Sequence, residues 1–148
     1  CSSIDNVDLS AWNTSNVKNI SRLFQGCTSL SNVRLNWDET NTRNFTDISY
    51  AFYQCEGLTS LADTGIESWV LPNATEGSAV FYNCINLQSA NLECWNPTKI
   101  ANLPWLFYGC ENLQKFSLDG WSVPSLLDLQ QAFSGCTNLE VIDLSGWT

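Results

Sequence analysis

The sequence predicts an α/β repeat solenoid of about six rungs of roughly 26 residues, each carrying one short parallel strand and one short α or 3₁₀ segment. Three observations lead there. The motif Phe-x-x-Cys-x-x-Leu occurs five times, as FQGCTSL, FYQCEGL, FYNCINL, FYGCENL and FSGCTNL, starting at Phe24, Phe52, Phe81, Phe107 and Phe133. A Trp closes every unit, at Trp12, Trp37, Trp69, Trp95, Trp121 and Trp147. From that Trp the next Phe is twelve residues away in four cases of five, which sets the period. A unit of this size cannot bury its own apolar face, so self-similarity at this period implies units stacked on one another.

Taken in order, the rungs run 1–26, 27–54, 55–83, 84–109, 110–135 and 136–148, one array over residues 1–148. In each, apolar residues two apart, as in NVRLN, KFSLD and VIDLS, alternate with polar ones as in a short half-buried strand. After each Trp, apolar positions fall seven, four and one residues before the Phe, as at Val17, Ile20 and Leu23 or Ile100, Leu103 and Leu106. That spacing predicts a short helix. Gly26, Asn83, Gly109 and Gly135, just before the Cys, tolerate the left-handed conformation that would end it. Asp38, Ser122 and the NTS after Trp12 offer side-chain oxygens near the start of such segments. Gly77 stands where other rungs have Ile or Leu and predicts a thinner core. The chain begins and stops in mid-unit, which predicts either further repeats beyond both ends or end-to-end stacking of copies.

The cysteines Cys1, Cys27, Cys55, Cys84, Cys110 and Cys136 form one column, and the Trp residues another. Strand neighbours about 4.8 Å apart lie within the Cα range of a disulfide, so the column is either bridged or a file of small buried hydrophobes. Cys94 precedes Trp95 where other units have Ala11, Asn36, Ser68, Gly120 and Gly146, and reads as a stand-in for a small residue. No zinc site is expected, because His is absent and no Cys-x-x-Cys occurs.

Charge narrows the function. With six Lys and Arg against fifteen Asp and Glu, net −9, the chain has no electrostatic footing on nucleic acid or an anionic membrane. No apolar run approaches the roughly 18 residues of a membrane span. Catalysis is not expected either: without His a Ser or Cys nucleophile lacks its ordinary base, and no carboxylate pair clusters within adjacent rungs. No cofactor motif appears.

The stretch WNTSNVKNISRLFQGCTSLSNVRLNW, residues 12–37, resembles the BspA-like leucine-rich repeat, in the variant common in bacterial and mycoplasmal surface lipoproteins. The resemblance covers nearly the whole chain; where that family usually has Met before the Phe, this sequence has Leu23, Ala51, Val80, Leu106 and Ala132. It implies a right-handed leucine-rich-repeat-like coil, and an extracellular or cell-surface, non-catalytic array used in adhesion or recognition.

The surface left for a protein or glycan partner is the outward strand face: Asn6, Asp8, Asn32, Arg34, Asn91, Glu93, Lys115, Asp119 and Asp143. The same polar face suits an array that is merely soluble. Extra residues in WDETNTRNF and LADTGIESW predict loops of the kind that often mark a binding side. Four sequons, at Asn13, Asn19, Asn44 and Asn73, are candidate glycan acceptors in a eukaryotic secretory chain. Two functions remain: an interaction module of a secreted or surface protein, or the subunit of an extracellular filament or coat built by stacking.

Overall fold

In the segment before each Phe, alternate peptide N–H groups leave their own unit. Ile20, Arg22, Phe24 and Gly26 donate to the carbonyls of Asp47, Ser49, Ala51 and Tyr53 at 2.8–3.0 Å, while Leu23, Gln25 and Cys27 donate three residues back, to Ile20, Arg22 and Phe24. The pattern repeats: Tyr50, Phe52 and Gln54 donate to Ser78, Val80 and Tyr82, and Trp105, Phe107 and Gly109 to Gln130, Ala132 and Ser134. Among the described residues these segments just before the Phe are therefore turns and not the predicted helix. A helix needs each N–H directed four residues back along its own segment, and here half of them stitch one unit to the next. Successive three-residue turns also bring every third side chain inward, so the apolar spacing that reads as helical is satisfied without one.

Each of these segments passes twice through the left-handed region. Gly26, Asn83, Gly109 and Gly135 have φ between 54° and 82°, as expected before the Cys, and Gln54 joins them at 59°, all within a ladder of turns. Arg22, Tyr50, Ala79, Trp105 and Gln131 have φ between 52° and 62°, which no glycine announces.

The computed structural model describes residues 1–126 and 128–144. Strands β1 (Asn6–Asp8) and β2 (Asn32–Arg34) pair in parallel, as do β3 (Ser89–Asn91), β4 (Lys115–Ser117) and β5 (Val141–Asp143). Registers are Val7 to Val33, and Ala90 to Phe116 to Ile142, so equivalent residues face one another. The third unit carries no strand, and this divides the strands into two sheets. Its extra residues form a 3₁₀ turn, Ile66–Ser68, entered through Gly65 at φ +83°. The unit still joins its neighbours, through Leu35 N–H to Thr64 O at 2.7 Å and Gln88 N–H to Thr59 O at 3.0 Å. The other extra residues form the one-turn helix α1 (Glu39–Thr42), capped by the Asp38 side chain on Asn41 N–H. Buried Thr42 and Asn41 then tie α1 to Val70 and Thr14.

Between these tracks lies the core. Phe24, Phe52, Phe81, Phe107 and Phe133 stack in one file with ring centroids 5.3–6.0 Å apart. Trp37, Trp69 and Trp95 stack at 5.7 and 5.8 Å in a second. Each buried ring contributes about 1.5–3 kcal/mol relative to exposure. The indole N–H, which would be an orphaned donor in such a core, donates to the preceding unit's carbonyl: Trp37 to Leu9 at 3.0 Å, Trp69 to Leu35 at 3.4 Å, Trp95 to Ile66 at 2.8 Å and Trp121 to Leu92 at 2.7 Å. Ile66 of the 3₁₀ turn thus supplies the acceptor that a strand-end Leu supplies elsewhere.

Three sequence expectations need correction. Trp12 lies outside the buried file, 59% exposed, and Cys1 is exposed, both in the first unit. Trp147 falls outside the described residues. Gly77 marks no thin core: a Cβ there would lie 2.7 Å from Ile100 Cδ1 and 2.8 Å from Leu103 Cδ2, so the next unit's side chains fill the space.

Candidate functional site

The proposed strand face is interrupted at the third unit, which leaves Asn6, Asp8, Asn32 and Arg34 on one patch and Asn91, Glu93, Lys115, Asp119 and Asp143 on another. Many of its polar groups bond to one another. Asn32 Nδ2 donates to Asn6 Oδ1 at 2.9 Å, Ser117 Oγ to Glu93 Oε1 at 2.8 Å and Glu93 N–H to Asn91 Oδ1 at 3.0 Å. Arg34 lies 3.9 Å from Asp8, whose carboxyl accepts from both Ser10 Oγ–H and Ser10 N–H. The two Ser10 bonds, then the Arg34 charge, hold Asp8 below the usual carboxylate range. Lys115 is exposed, level with Ser89 and Val141, and Asp143 lies level with Ser117.

The cysteine column consists of free thiols, and four of them turn onto the preceding unit. Cys55, Cys84, Cys110 and Cys136 donate from Sγ to the carbonyls of Phe24, Phe52, Phe81 and Phe107 at 3.0–3.2 Å. Burial pushes Cys55 up to about 12 and Cys136 up to about 11, and raises Cys84 and Cys110 above the ordinary thiol value as well. A thiol that keeps its proton is neither nucleophile nor metal ligand. Cys94 is exposed. Among the described residues no three Cys, Asp or Glu side chains come together as a metal ion would require.

The sequons occupy the segments that follow Trp12, Trp37 and Trp69. Asn13 and Asn19 accept from the N–H two residues on, Ser15 and Ser21, closing Asx turns. Asn44 and Asn73 direct Nδ2 to Ser15 O at 2.6 Å and Arg43 O at 2.9 Å, equivalent contacts that put them in one column.

A feature absent from the sequence expectations lies on the turn side. The residue after the Phe is Tyr in the three middle units, and Tyr53, Tyr82 and Tyr108 stack with centroids 4.7 Å apart and planes within 14°. Beside this file run the left-handed residues, aligned by their ladder bonds in the order Arg22, Tyr50, Ala79, Trp105, Gln131. Tyr50 meets Tyr53 at 5.7 Å, and Trp105 Nε1–H donates to Gln131 Oε1 at 3.1 Å. Tyr50 and Trp105 are only half-buried, and with the Tyr file they border a cleft of about 360 Å³ with Ala79 at its floor. Desolvation, then the flanking Tyr53 and Tyr108, raises Tyr82 above the usual phenol value, so it stays a neutral hydroxyl. The signal was present as Phe-Tyr written three times, with Tyr50 and Trp105 two residues ahead of their Phe.

Compared with known proteins, the chain matches, over residues 1–64 and 46–148, the family described as "Mycoplasma protein of unknown function, DUF285". No curated protein matches it significantly. Among solved structures, one described as "Crystal structure of T. pallidum Leucine Rich Repeat protein (TpLRR)" is similar at 20% identity and a TM-score of 0.44, over 92% of this chain and 72% of that one.

Proposed function

The chain belongs to the DUF285 family, whose repeats are BspA-like leucine-rich repeats, and from that premise we propose that it is a non-catalytic interaction module, working outside the cell and binding a partner protein through its turn side. In this reading the array is a right-handed solenoid of about six rungs of roughly 26 residues, with the Tyr file and its cleft as the adhesive surface. The observation that carries it is the exposure of Tyr50 and Trp105 beside three stacked tyrosines, when each Phe and most of the Trp in the same units are buried. Tyr and Trp give large, rigid, amphipathic contact area and are the residues enriched at binding hot spots. The strand face offers less, because its polar groups already bond among themselves. No described helix is long and apolar enough to cross a membrane.

The test is binding of the purified chain to a panel of purified extracellular-matrix proteins on a biosensor, with two double variants alongside. Tyr50→Ala with Trp105→Ala should weaken saturable binding at least about tenfold, as loss of a hot-spot pair does. Asp8→Ala with Arg34→Ala should leave it within about twofold. Absence of saturable binding to every panel protein, or equal loss in both variants, would sink the reading.

A further inference from the structure

We propose that the gap over Ala79 receives the side chain of an arginine from the partner, held between Tyr50 and Trp105; this rests on the turn-side reading above and names what the site recognises. The aligned column runs Arg22, Tyr50, Ala79, Trp105, Gln131, and its first two members already show the interaction. The Arg22 guanidinium lies 4.8 Å from the centroid of the Tyr50 ring, within the range of a cation–π contact. Arg22 approaches from the unit before Tyr50, so the ring's other side is turned toward the unit of Ala79. There the column carries only a methyl group, 1% exposed at the floor of the cleft. One unit further stands Trp105, its indole tethered to Gln131. Units follow at about 4.8 Å, so the backbones of Tyr50 and Trp105 are separated by roughly 9–10 Å, which leaves room for one planar group between their side chains.

Charge selects the occupant. The chain carries net −9, and neither Lys nor Arg lines the cleft, so a cation is drawn to it and a carboxylate or phosphate is not. Of the two basic side chains, the planar, weakly hydrated guanidinium is the one that stacks on rings, as Arg22 does, while a lysine ammonium remains a hydrated point charge. A neutral sugar could stack on one open ring, but gains nothing from the charge.

The experiment follows the indole N–H resonances of the ¹⁵N-labelled chain as peptides are added, with the Trp105 signal assigned by its loss in Trp105→Phe. The probes are acetyl-Gly-Ser-Arg-Ser-Gly-amide, the same peptide with lysine or citrulline in place of arginine, and a chito-oligosaccharide. The arginine peptide should shift the Trp105 signal saturably. The citrulline peptide, planar but uncharged, should bind about tenfold more weakly, and lysine should fall between. Tyr50→Ala and Ala79→Leu should each abolish the shift while the buried Trp37, Trp69, Trp95 and Trp121 signals keep their positions, which shows that the fold is intact. A shift that is equal for arginine and citrulline, that appears only with the oligosaccharide, or that never appears overturns the arginine assignment. The matrix-protein panel decides separately whether the chain is an interaction module.

Discussion

Replacing the indole of Trp95 by a phenyl ring keeps most of its apolar surface and removes one donor, so Trp95→Phe isolates the bond to Ile66 O at 2.8 Å. Ile66 O keeps its bond from Trp69 N–H, so loss of the indole donor is expected to cost about 0.5–1.5 kcal/mol in urea unfolding. Trp12→Phe, on a side chain 59% exposed, should cost less than about 0.5 kcal/mol. Equal costs would mean that the indole bonds do not hold units together. The thiols give a second residue-scale expectation. In the fold Cys55 keeps its proton to about 12 and Cys136 to about 11, whereas an ordinary thiol loses it near 9.0. Above that value the folded chain binds more protons than the unfolded one, so stability is level below about pH 8 and falls as pH rises through 9.0 toward 12. Urea midpoints at pH 7, 9 and 10, compared with those of Cys55→Ala, check it: the slope should shrink in the variant. Alkylation of the folded chain at pH 8 should label Cys1 and Cys94 and spare Cys27, Cys55, Cys84 and Cys110. The sequence alone left thiol and disulfide both open, because strand spacing permits either. What decides is the direction of Sγ, which points to a backbone oxygen of the preceding unit and not to its neighbouring sulfur.

At the scale of the element, the third unit shows what a glycine can be required for. A Cβ on Gly65 would stand 2.7 Å from Asn36 Cα and from Leu35 O, on a backbone at φ +83°. Gly120 has φ +73° with nothing within 4 Å. Gly120→Ala should therefore show the left-handed penalty alone, about 1–2 kcal/mol, and Gly65→Ala that penalty plus displacement of a neighbouring unit. Thermal melts in which Gly65→Ala is no worse than Gly120→Ala would contradict this packing. Strand positions were readable because alternation in NVRLN or KFSLD has no competing explanation. The segment before Phe was misread because three-residue turns and a 3.6-residue helix place apolar side chains at nearly the same spacing, and the difference lies in where N–H groups point. The cleft was hidden for another reason: tyrosine after Phe reads as ordinary surface until stacking sets Tyr53, Tyr82 and Tyr108 in a file with successive centroids 4.7 Å apart.

For the whole molecule, net −9 over 148 residues is a standing self-repulsion. Raising salt from about 10 to 150 mM shortens the reach of that repulsion to about 8 Å, so the melting temperature should rise, by roughly 2–4 °C for each 1 kcal/mol recovered. A melting temperature that drops with salt would mean that attractive pairs such as Arg34–Asp8 outweigh it. The period and its columns were legible from one sequence because every unit repeats the same contacts with its neighbour. The first and third units depart from the rest, one in its exposed Trp12 and Cys1 and the other through its extra residues. Those extra residues, with the set that forms α1, carry a last consequence. The step between aligned turn residues is 28 from Arg22 to Tyr50 and 29 from Tyr50 to Ala79, then 26 onward, and still the Phe file runs unbroken. The two swellings act as expansion joints, taking up length without disturbing the files beneath. Since doubling a loop costs only about 0.6 kcal/mol, their exposed residues, Glu39 and Thr40 in one and Ala62 and Asp63 in the other, are also the places where foreign peptide could be grafted and displayed while the scaffold below stays in step.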